Sequence, residues 1–251
     1  MLKKWEELPA ELRNESVRPY YDILEKKKAA MLFMRMFDIA ASAFMLIVFS
    51  PIFLVLAVCI KLDTPGPVFY RQTRITQYNR EFRIFKFRSM VQDADRGSPV
   101  TVCGDSRVTR TGKIIRKYRL DEISQLINVF LGDMTFVGTR PEVPKYTERY
   151  SDEMMATLLL PAGVTSLASI YYKDEADLLS CADNADEVYV GKILPAKMYY
   201  NLKEIRHYSF FSNIKEMFMT VFAVLGKEYK GDYEPKRERI LNDEEINSYP
   251  H

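Results

Sequence analysis

One long apolar run dominates the first quarter of the chain. It covers residues 39–60 and contains no charged side chain. A straight α-helix of that length reaches about 33 Å, enough to cross the hydrocarbon core of a bilayer. Pro51, near the middle, cannot donate a backbone hydrogen bond to Ile47 and so predicts a kink, while the Ser50 hydroxyl can bond a carbonyl freed nearby. The pattern predicts a membrane helix broken at Ser50-Pro51.

The charges beside this run do not settle its topology. Basic residues precede it at 26–28 and at Arg35, and others follow it at Lys61, Arg71 and Arg74. Positive flanks favour the cytoplasmic side of a membrane, so both ends prefer the same side. Two interpretations remain open, namely a span with a tolerated proline and a helix that enters, bends and returns. The residues alone favour the span, and residues 1–28, of mixed charge and without a cleavage site, argue against a signal peptide.

Shorter patterns follow in the rest of the chain. Turn residues at 64–67 lead into two predicted strands, 68–74 and 81–87, around a turn at 76–79. Residues 121–130 predict a helix whose buried stripe is Ile123, Leu126, Ile127 and Phe130. Further helices are predicted at 5–12, 17–28, 145–160, 174–179, 185–200 and 212–225, the last of them amphipathic.

Charge distribution changes this picture more than composition does. The net charge is only +2, yet residues 61–119 hold 14 Lys and Arg against 5 Asp and Glu. This excess indicates an anionic partner such as phosphate, nucleic acid or anionic lipid, although a solvated basic face would look the same. Three cysteines without metal-type spacing favour a reduced, cytoplasmic setting, and two histidines leave carboxylates as the better candidates for chemistry.

Asp121 and Glu122 are the carboxylates best placed for such chemistry, since they stand where the predicted helix begins. They can be an N-cap and a first-turn acid. They can also be a nucleophile beside a metal-binding carboxylate, because a helix N-terminus favours phosphate and Arg116 lies five residues upstream.

Three other features have weaker chemical meaning. Lys86 and Arg88 share one face of the predicted strand and can be exposed charges or cations aimed at phosphates. Asp93-Ala94-Asp95 matches the short metal-binding motif of nucleotide-sugar transferases, a weak signal. Arg140 lies in a Gly-Thr-Arg-Pro turn that is not specific by itself.

Taken in order, these segments resemble the monotopic phosphoglycosyl transferases, bacterial sugar transferases that start glycan assembly on undecaprenyl phosphate. The resemblance runs from about Arg35 to Arg140, with a weaker continuation to Leu225. The matching segments are Arg35-x-Phe37-Asp38, Ser50-Pro51, Lys61-Leu62-Asp63-x-Pro65-Gly66-Pro67-Val68, Arg71-Gln72, Lys86-Phe87-Arg88-Ser89-Met90, Arg107-x-Thr109-Arg110-x-Gly112, Leu120-Asp121-Glu122, Gln125-Leu126-x-Asn128-Val129 and Gly132-Asp133-Met134.

The resemblance implies a fold and a set of site residues. The expected fold is α/β and mostly α, with a re-entrant membrane helix (29–62) bent at Ser50-Pro51. A helical extension (1–28) precedes it, and a small cytoplasmic catalytic domain with short strands and amphipathic interfacial helices (63–226) and a charged tail (227–251) follow. Asp121 would be the nucleophile and Glu122 the Mg²⁺ ligand. Lys86, Arg116 and Arg140 would hold substrate phosphates, and the strand pattern adds Arg88.

The implied activity is transfer of a sugar-1-phosphate from a UDP-sugar to undecaprenyl phosphate, with release of UMP, through a phosphosugar-aspartyl intermediate. This would be the first membrane step of glycan or exopolysaccharide assembly, at the cytoplasmic face of the bacterial inner membrane. Membrane lipids are expected partners, nucleic acid is not, and homo-oligomer formation stays open. Departures at Thr139 and at 162–166 leave the sugar unassigned. A single-displacement glycosyltransferase using Asp93 and Asp95, or a membrane-anchored anion-binding protein, are the alternatives.

Overall fold

The computed structural model describes residues 2–92, 107–172 and 185–229. The Asp93-Ala94-Asp95 motif, the helix predicted at 174–179 and most of the tail lie outside these residues. The described part is mostly helical with two small sheets, consistent with the α/β fold that the resemblance implies. Its helices are α1 (Arg18–Glu25), α2 (Lys28–Asp63), α3 (Arg110–Lys117), α4 (Leu126–Leu131), α5 (Pro144–Thr147), α6 (Leu167–Tyr171), α7 (Ala185–Val188), α8 (Leu194–Arg206) and α9 (Phe210–Val224), and its strands are β1 (Phe69–Thr76), β2 (Arg80–Phe87), β3 (Met134–Val137) and β4 (Ala162–Thr165).

The apolar run forms helix α2, which is 36 residues long and contains Pro51. Ser50 Oγ donates to Ile47 O at 2.7 Å, so the hydroxyl bonds the carbonyl that Pro51 cannot reach, as predicted. Large apolar side chains in the middle of the helix, including Phe44 and Leu54, are exposed. Among the described helices, α2 is the one whose length and composition would let it cross a membrane.

The N-terminal third of α2 is tied to the domain by two charged side chains. Arg35 Nη1 donates to Val129 O at 2.6 Å, at the end of α4. The buried Asp38 carboxylate accepts from Thr135 Oγ1 at 2.8 Å and from Phe136 N at 3.2 Å, both on β3. Because these bonds go to a helix and a strand of the globular part, this end of α2 is fixed to that part.

The C-terminal end of α2 is held by residues that follow β2 and by helix α3. Arg88 donates through Nη1 to Pro65 O at 2.7 Å and through Nη2 to Thr64 O at 2.8 Å, just past the last helical residue. Gly66 has φ +119°, and a Cβ there would collide with the Arg88 guanidinium. Asp63 accepts from Thr111 N at 2.7 Å, which adds helix α3 to this junction.

The predicted strand pair is confirmed as the antiparallel hairpin β1–β2, with Tyr70 opposite Lys86 and Gln72 opposite Ile84. Its turn contains Tyr78 and Asn79, both with positive φ, as type I′ hairpin turns require. The second sheet, in which β3 pairs with β4 in parallel, was not predicted, because four-residue strands carry little periodic signal.

Two helix predictions need correction. Residues 145–160 do not form one helix, because α5 ends at Thr147 and a 3₁₀ helix, Met154–Leu159, follows. The helix at 121–130 begins as 3₁₀ turns, Ile123–Gln125, before α4. This tighter start rotates the following side chains, so Phe130 is 44% exposed while Asn128 is buried. Gly132, with φ +92°, ends α4.

The N-terminal segment contributes to the largest core cluster. Its 3₁₀ helices, Trp5–Glu7 and Ala10–Leu12, replace the single helix predicted at 5–12, and α1 covers the middle of the one predicted at 17–28. Its buried apolar side chains pack against the 3₁₀ helix before β4 and against the end of α8. The members of the cluster from this segment are Leu2, Leu8, Leu12, Val17, Tyr20, Tyr21 and Leu24.

Another unforeseen feature precedes α8. The predicted helix at 185–200 is present, but residues Tyr189–Ile193 form a π-helical turn between α7 and α8. Pro195 is the second residue of α8 and directly follows this π-turn. Such π-turns often lie at functional sites, and this one places Tyr189 beside Glu142.

Candidate active site

Four of the predicted site residues come together at one end of the β1–β2 hairpin. Lys86 is the last but one residue of β2, and Asp121 and Glu122 follow α3 in the connection to the 3₁₀ turns. Arg140 lies in the turn after β3 and forms an ion pair with Glu122. The fold therefore groups cations and carboxylates that are up to 54 positions apart in the sequence.

Backbone contacts hold the Asp121 segment against β2. Ser124 Oγ donates to Asp121 O at 2.9 Å and lies 3.0 Å from Phe85 O. Asn128 Oδ1 accepts from Phe85 N at 2.8 Å, which joins α4 to the same strand. Because two buried side chains fix this junction, the positions of Asp121 and Lys86 relative to each other are set by the fold.

The ordinary helix-start interpretation of the two carboxylates is not supported. Glu122 precedes the 3₁₀ turns, but its side chain makes no capping hydrogen bond. The α-helical part begins only at Leu126, so Asp121 is not its N-cap. The carboxylate of Glu122 is used instead by Arg140.

The electrostatics of the site differ between the two carboxylates. Burial raises the pKa of Glu122, but the charge and hydrogen bond of Arg140, together with Lys86, outweigh it and leave the pKa at about 2. Burial also raises the pKa of Asp121, and the charge of Lys86 opposes this only in part, so the net shift is upward. Asp121 is therefore the more basic carboxylate and Glu122 the firmly ionised one.

Lys86 is the most perturbed cation of the group. Burial, followed by repulsion from Arg140, lowers its pKa to about 8 despite the neighbouring Glu122. Because the surroundings disfavour the charged form of Lys86, an anion bound beside it would stabilise that form. This is the expected property of a phosphate-binding lysine.

Arg116 stands at the edge of this group, on α3. Its Nε donates to Ser89 Oγ at 3.0 Å, and its charge lowers the pKa of Asp121. The helix is positioned by the Thr109 side chain, which accepts from Gly112 N at 2.9 Å. A Cβ at Gly112 would collide with the Ser89 carbonyl, so glycine permits α3 to approach the end of β2 closely.

The structure does not bring Arg88 to the group, contrary to the shared face predicted for Lys86 and Arg88. Strand β2 ends at Phe87, so the alternation of faces does not extend to the next residue. The guanidinium is buried against the carbonyl oxygens at the end of α2. Arg88 fixes the end of helix α2 to the hairpin.

Sequence reasoning missed Arg74 as a part of this site. Its guanidinium donates to Gln72 Oε1 at 2.7 Å and to Pro141 O at 3.1 Å, next to Arg140. Its charge also contributes to the lowered pKa of Lys86. Strand alternation was the available signal, since Gln72 and Arg74 share the face of Tyr70. That this face lies beside Lys86 follows only from the register, in which Tyr70 is opposite Lys86.

A buried ionic network lies behind Arg74. Lys197 Nζ is 3.5 Å from Glu142 Oε1, with side chains only 6% and 8% exposed. The Tyr189 hydroxyl donates to Glu142 and accepts from Lys197 at 3.1 Å. Because Glu142 follows Pro141, this network fixes the backbone that carries Arg140.

The carboxylates of the site could bind a hard cation such as Mg²⁺ only if a substrate supplies further oxygen ligands. Within the described ranges, no group of three or more His, Cys, Asp or Glu could hold a metal ion. Asp121 and Glu122 are two adjacent carboxylates, one of them firmly ionised. Mg²⁺ is commonly held by one or two carboxylates plus the phosphates of its substrate, so these residues fit Mg²⁺ bound with a diphosphate.

Comparisons with known proteins identify the family. The family described as bacterial sugar transferase matches residues 29–227. A UDP-N-acetylgalactosamine-undecaprenyl-phosphate N-acetylgalactosaminephosphotransferase of Aeromonas hydrophila is 35% identical over 192 residues, which cover 75% of this chain and 42% of the relative. UDP-glucose:undecaprenyl-phosphate glucose-1-phosphate transferases are similar too. That of Klebsiella pneumoniae is 35% identical over 76% of this chain and 40% of the relative, and that of Escherichia coli is 32% identical over 84% and 44%.

These comparisons confirm the resemblance drawn from the motifs and show its extent. The chain spans less than half the length of these three relatives. Residues 1–28, whose buried side chains share the largest core cluster, precede the match. The whole site group, from Arg74 to Arg140, lies inside it. The chain belongs to the bacterial sugar transferase family.

Proposed function

We propose that the protein transfers a sugar-1-phosphate from a UDP-sugar to undecaprenyl phosphate and releases UMP. The observation that carries this proposal is the pairing of Asp121, a partly buried carboxylate whose pKa is raised, with the cations Lys86, Arg116 and Arg140. Helix α2 makes the domain suited to a membrane-bound acceptor. The names of the relatives contain the same two substrate classes.

The first half-reaction uses Asp121 as the nucleophile. One of its carboxylate oxygens attacks the β-phosphorus of the UDP-sugar, and the bond from that phosphorus to the oxygen bridging the α-phosphorus breaks. UMP leaves with the bonding electron pair, and a phosphosugar remains on Asp121. The raised pKa of Asp121 makes its carboxylate a better nucleophile, while Lys86 and Arg140 reduce the repulsion between the two anions.

The second half-reaction regenerates the carboxylate. A phosphate oxygen of undecaprenyl phosphate attacks the same phosphorus, the bond to Asp121 breaks, and the lipid leaves as the diphosphate-linked sugar. One set of cations can serve both steps, because each step presents a phosphoryl group at the same place. The two anionic substrates never have to react directly with each other, which predicts ping-pong kinetics.

Mg²⁺ belongs to this proposal as a cofactor held by Glu122 together with the donor diphosphate. When bound, it would neutralise charge on the diphosphate and its leaving group. The chain's own contribution is to keep Glu122 ionised, which Arg140 does through its ion pair. Arg140 thereby holds a ligand oxygen as well as a phosphate.

We also propose that α2 is re-entrant and that the domain lies at the cytoplasmic face of the bacterial inner membrane. Arg35 and Asp38, at one end, are bonded to α4 and β3. Arg88, which holds the other end, directly follows β2, and β2 is joined to α4 through Asn128. A crossing helix would place these connected anchors on opposite sides of the bilayer, whereas a helix that bends at Ser50-Pro51 keeps them on one side.

The test is an assay of nucleotide release with undecaprenyl phosphate, Mg²⁺ and a panel of UDP-sugars. UMP that disappears in Asp121→Asn, but persists in the exposed control Asp152→Asn, is the expected result. Release of UDP would instead support single displacement. UMP release by Asp121→Asn at the wild-type rate would overturn the nucleophile assignment, and no product with any donor would favour an anion-binding protein.

A further inference from the structure

A cavity of about 250 Å³ is lined in part by Glu122, one of the two carboxylates of the candidate site. Its walls come from five parts of the chain, namely helix α2, the segment 122–126 that leads into α4, both strands of the second sheet and helix α9. The side chains that matter here are Met45, Phe136, Val164 and Met217, with Glu122 at one edge. The proposed chemistry at Asp121 does not use this space.

The cavity is lined mainly by apolar side chains. Its two hydroxyl groups, on Thr165 and Thr220, are 2.7 Å apart and share a hydrogen bond. Thr220 Oγ1 also lies 2.9 Å from the Glu216 carbonyl oxygen. A sugar or a uracil ring in this space would leave most of its own polar groups without partners, so neither part of the donor suits it.

We propose that this cavity holds the phosphate-proximal isoprene units of the acceptor lipid. The proposal rests on the proposed function and adds the place where the acceptor's chain leaves the site. The acceptor phosphate must reach the phosphorus on Asp121, so its first carbons must lie next to the carboxylate pair. The cavity begins at the adjacent residue, Glu122, and continues to Met45 on the membrane helix.

Size and composition fit such an occupant. Pockets for whole drug-sized ligands are about 300–1,000 Å³, so this cavity accepts only a short piece of a long chain. Met45 and Met217 provide flexible, polarizable walls that adapt to a branched, unsaturated chain. Met45 lies about a turn and a half before Ser50-Pro51. The remainder of the lipid chain can therefore leave the cavity along the exposed apolar surface of α2.

Filling the cavity tests the proposal. Met217→Trp places a larger side chain in it, and Phe218→Trp puts the same residue on the exposed side of the same helix as a control. We expect Met217→Trp to raise KM for undecaprenyl phosphate at least about tenfold, since displacing two methylene groups already costs that much. The single-turnover burst of UMP, measured without acceptor, should stay within about twofold of wild type in both variants.

A soluble acceptor, an isoprenyl phosphate of two units, shows whether the cavity binds the acceptor or an acyl chain of a bilayer lipid. Its KM should rise in Met217→Trp by a factor like that of the long acceptor, because only the proximal units fill the cavity. A rise confined to the long acceptor in bilayers would overturn the proposal and assign the space to a membrane acyl chain. An unchanged acceptor KM, or a burst that falls in parallel, would also overturn it.

Cross-linking gives a readout that does not depend on turnover. A photoreactive isoprenyl phosphate with its label in the first unit should modify the segment that contains Val164 or the one that contains Met217. Modification only at the exposed residues of α9, such as Phe222, would overturn the cavity assignment while leaving the proposed function intact. Absence of any UMP burst from the wild-type protein would instead overturn the proposed function itself.

Discussion

Substitution of Arg88 by methionine should lower stability and leave donor binding nearly unchanged. Methionine keeps most of the length of the side chain but removes the four hydrogen bonds that the guanidinium gives to Ile60 O, Thr64 O, Thr64 Oγ1 and Pro65 O. Hydrogen bonds from a charged donor contribute about 1.5–3 kcal/mol each. Pro65 is exposed, so water can replace part of this loss. A net cost of about 2–4 kcal/mol is therefore expected.

The assay combines thermal unfolding in detergent with donor kinetics. For a chain of this size, a cost of that order lowers the midpoint by roughly 5–15 °C. KM for the UDP-sugar should stay within about twofold of wild type, because Arg88 points to α2 and away from Asp121. Lys86→Met provides the matched contrast. It removes a partly buried charge that its surroundings disfavour, so it should keep or raise the midpoint while donor turnover collapses.

One pattern of results would refute this reasoning. If Arg88→Met unfolds at the wild-type temperature and raises the donor KM in the way that loss of a phosphate ligand does, the guanidinium contacts substrate and the junction with α2 does not depend on it. Gly66→Ala offers an independent check, because its Cβ would displace the same guanidinium. It should reproduce the stability loss of Arg88→Met.

Three further predictions concern pH and the core. Because the pKa of Lys86 is about 8, kcat/KM for the donor should fall as pH rises through that value, and a pH profile without this limb would contradict a role for the ammonium. Burial raises the pKa values of Glu204 and Glu216 above their usual 4.5, so the unfolding free energy should fall as pH rises above about 4.5; Glu216→Gln should flatten that slope in thermal scans from pH 5 to 8. Leu12→Ala, at a fully buried site, should cost about 2–5 kcal/mol by denaturant unfolding, and wild-type stability would show that the N-terminal segment does not share the core.

The candidate carboxylates could be singled out from the sequence because their signal is local. Asp121 and Glu122 are adjacent, and they belong to a series of short motifs inside the residues that the family model matches, although their roles stay predictions. The β1–β2 hairpin was predictable because its alternation and turn are local too. The covalent role of Asp121 stays a prediction until nucleotide release is measured.

The features that the sequence did not predict depend on strand register and on where helices and strands end. Arg74 joins the site only through the pairing of β1 with β2, which no single-strand pattern reveals. Arg88 was assigned to phosphate because strand alternation was extended one residue past the end of β2. The prediction that Phe130 is buried was wrong because it assumed an α-helix throughout, whereas the 3₁₀ start shifts the helical stripe. The cavity is still harder to foresee, since residues from five parts of the chain form its walls.

Helix α2 and the candidate active site share their supports. Asp38 is bonded to Thr135 and Phe136 on β3, a few residues before Arg140. At the other end of the helix, Arg88 follows Lys86 by two residues. A displacement of α2 at either end would therefore move one of the two cations that flank Asp121 and Glu122. Under the proposed function both cations bind the same phosphoryl group, so the position of α2 would also set the geometry of the site.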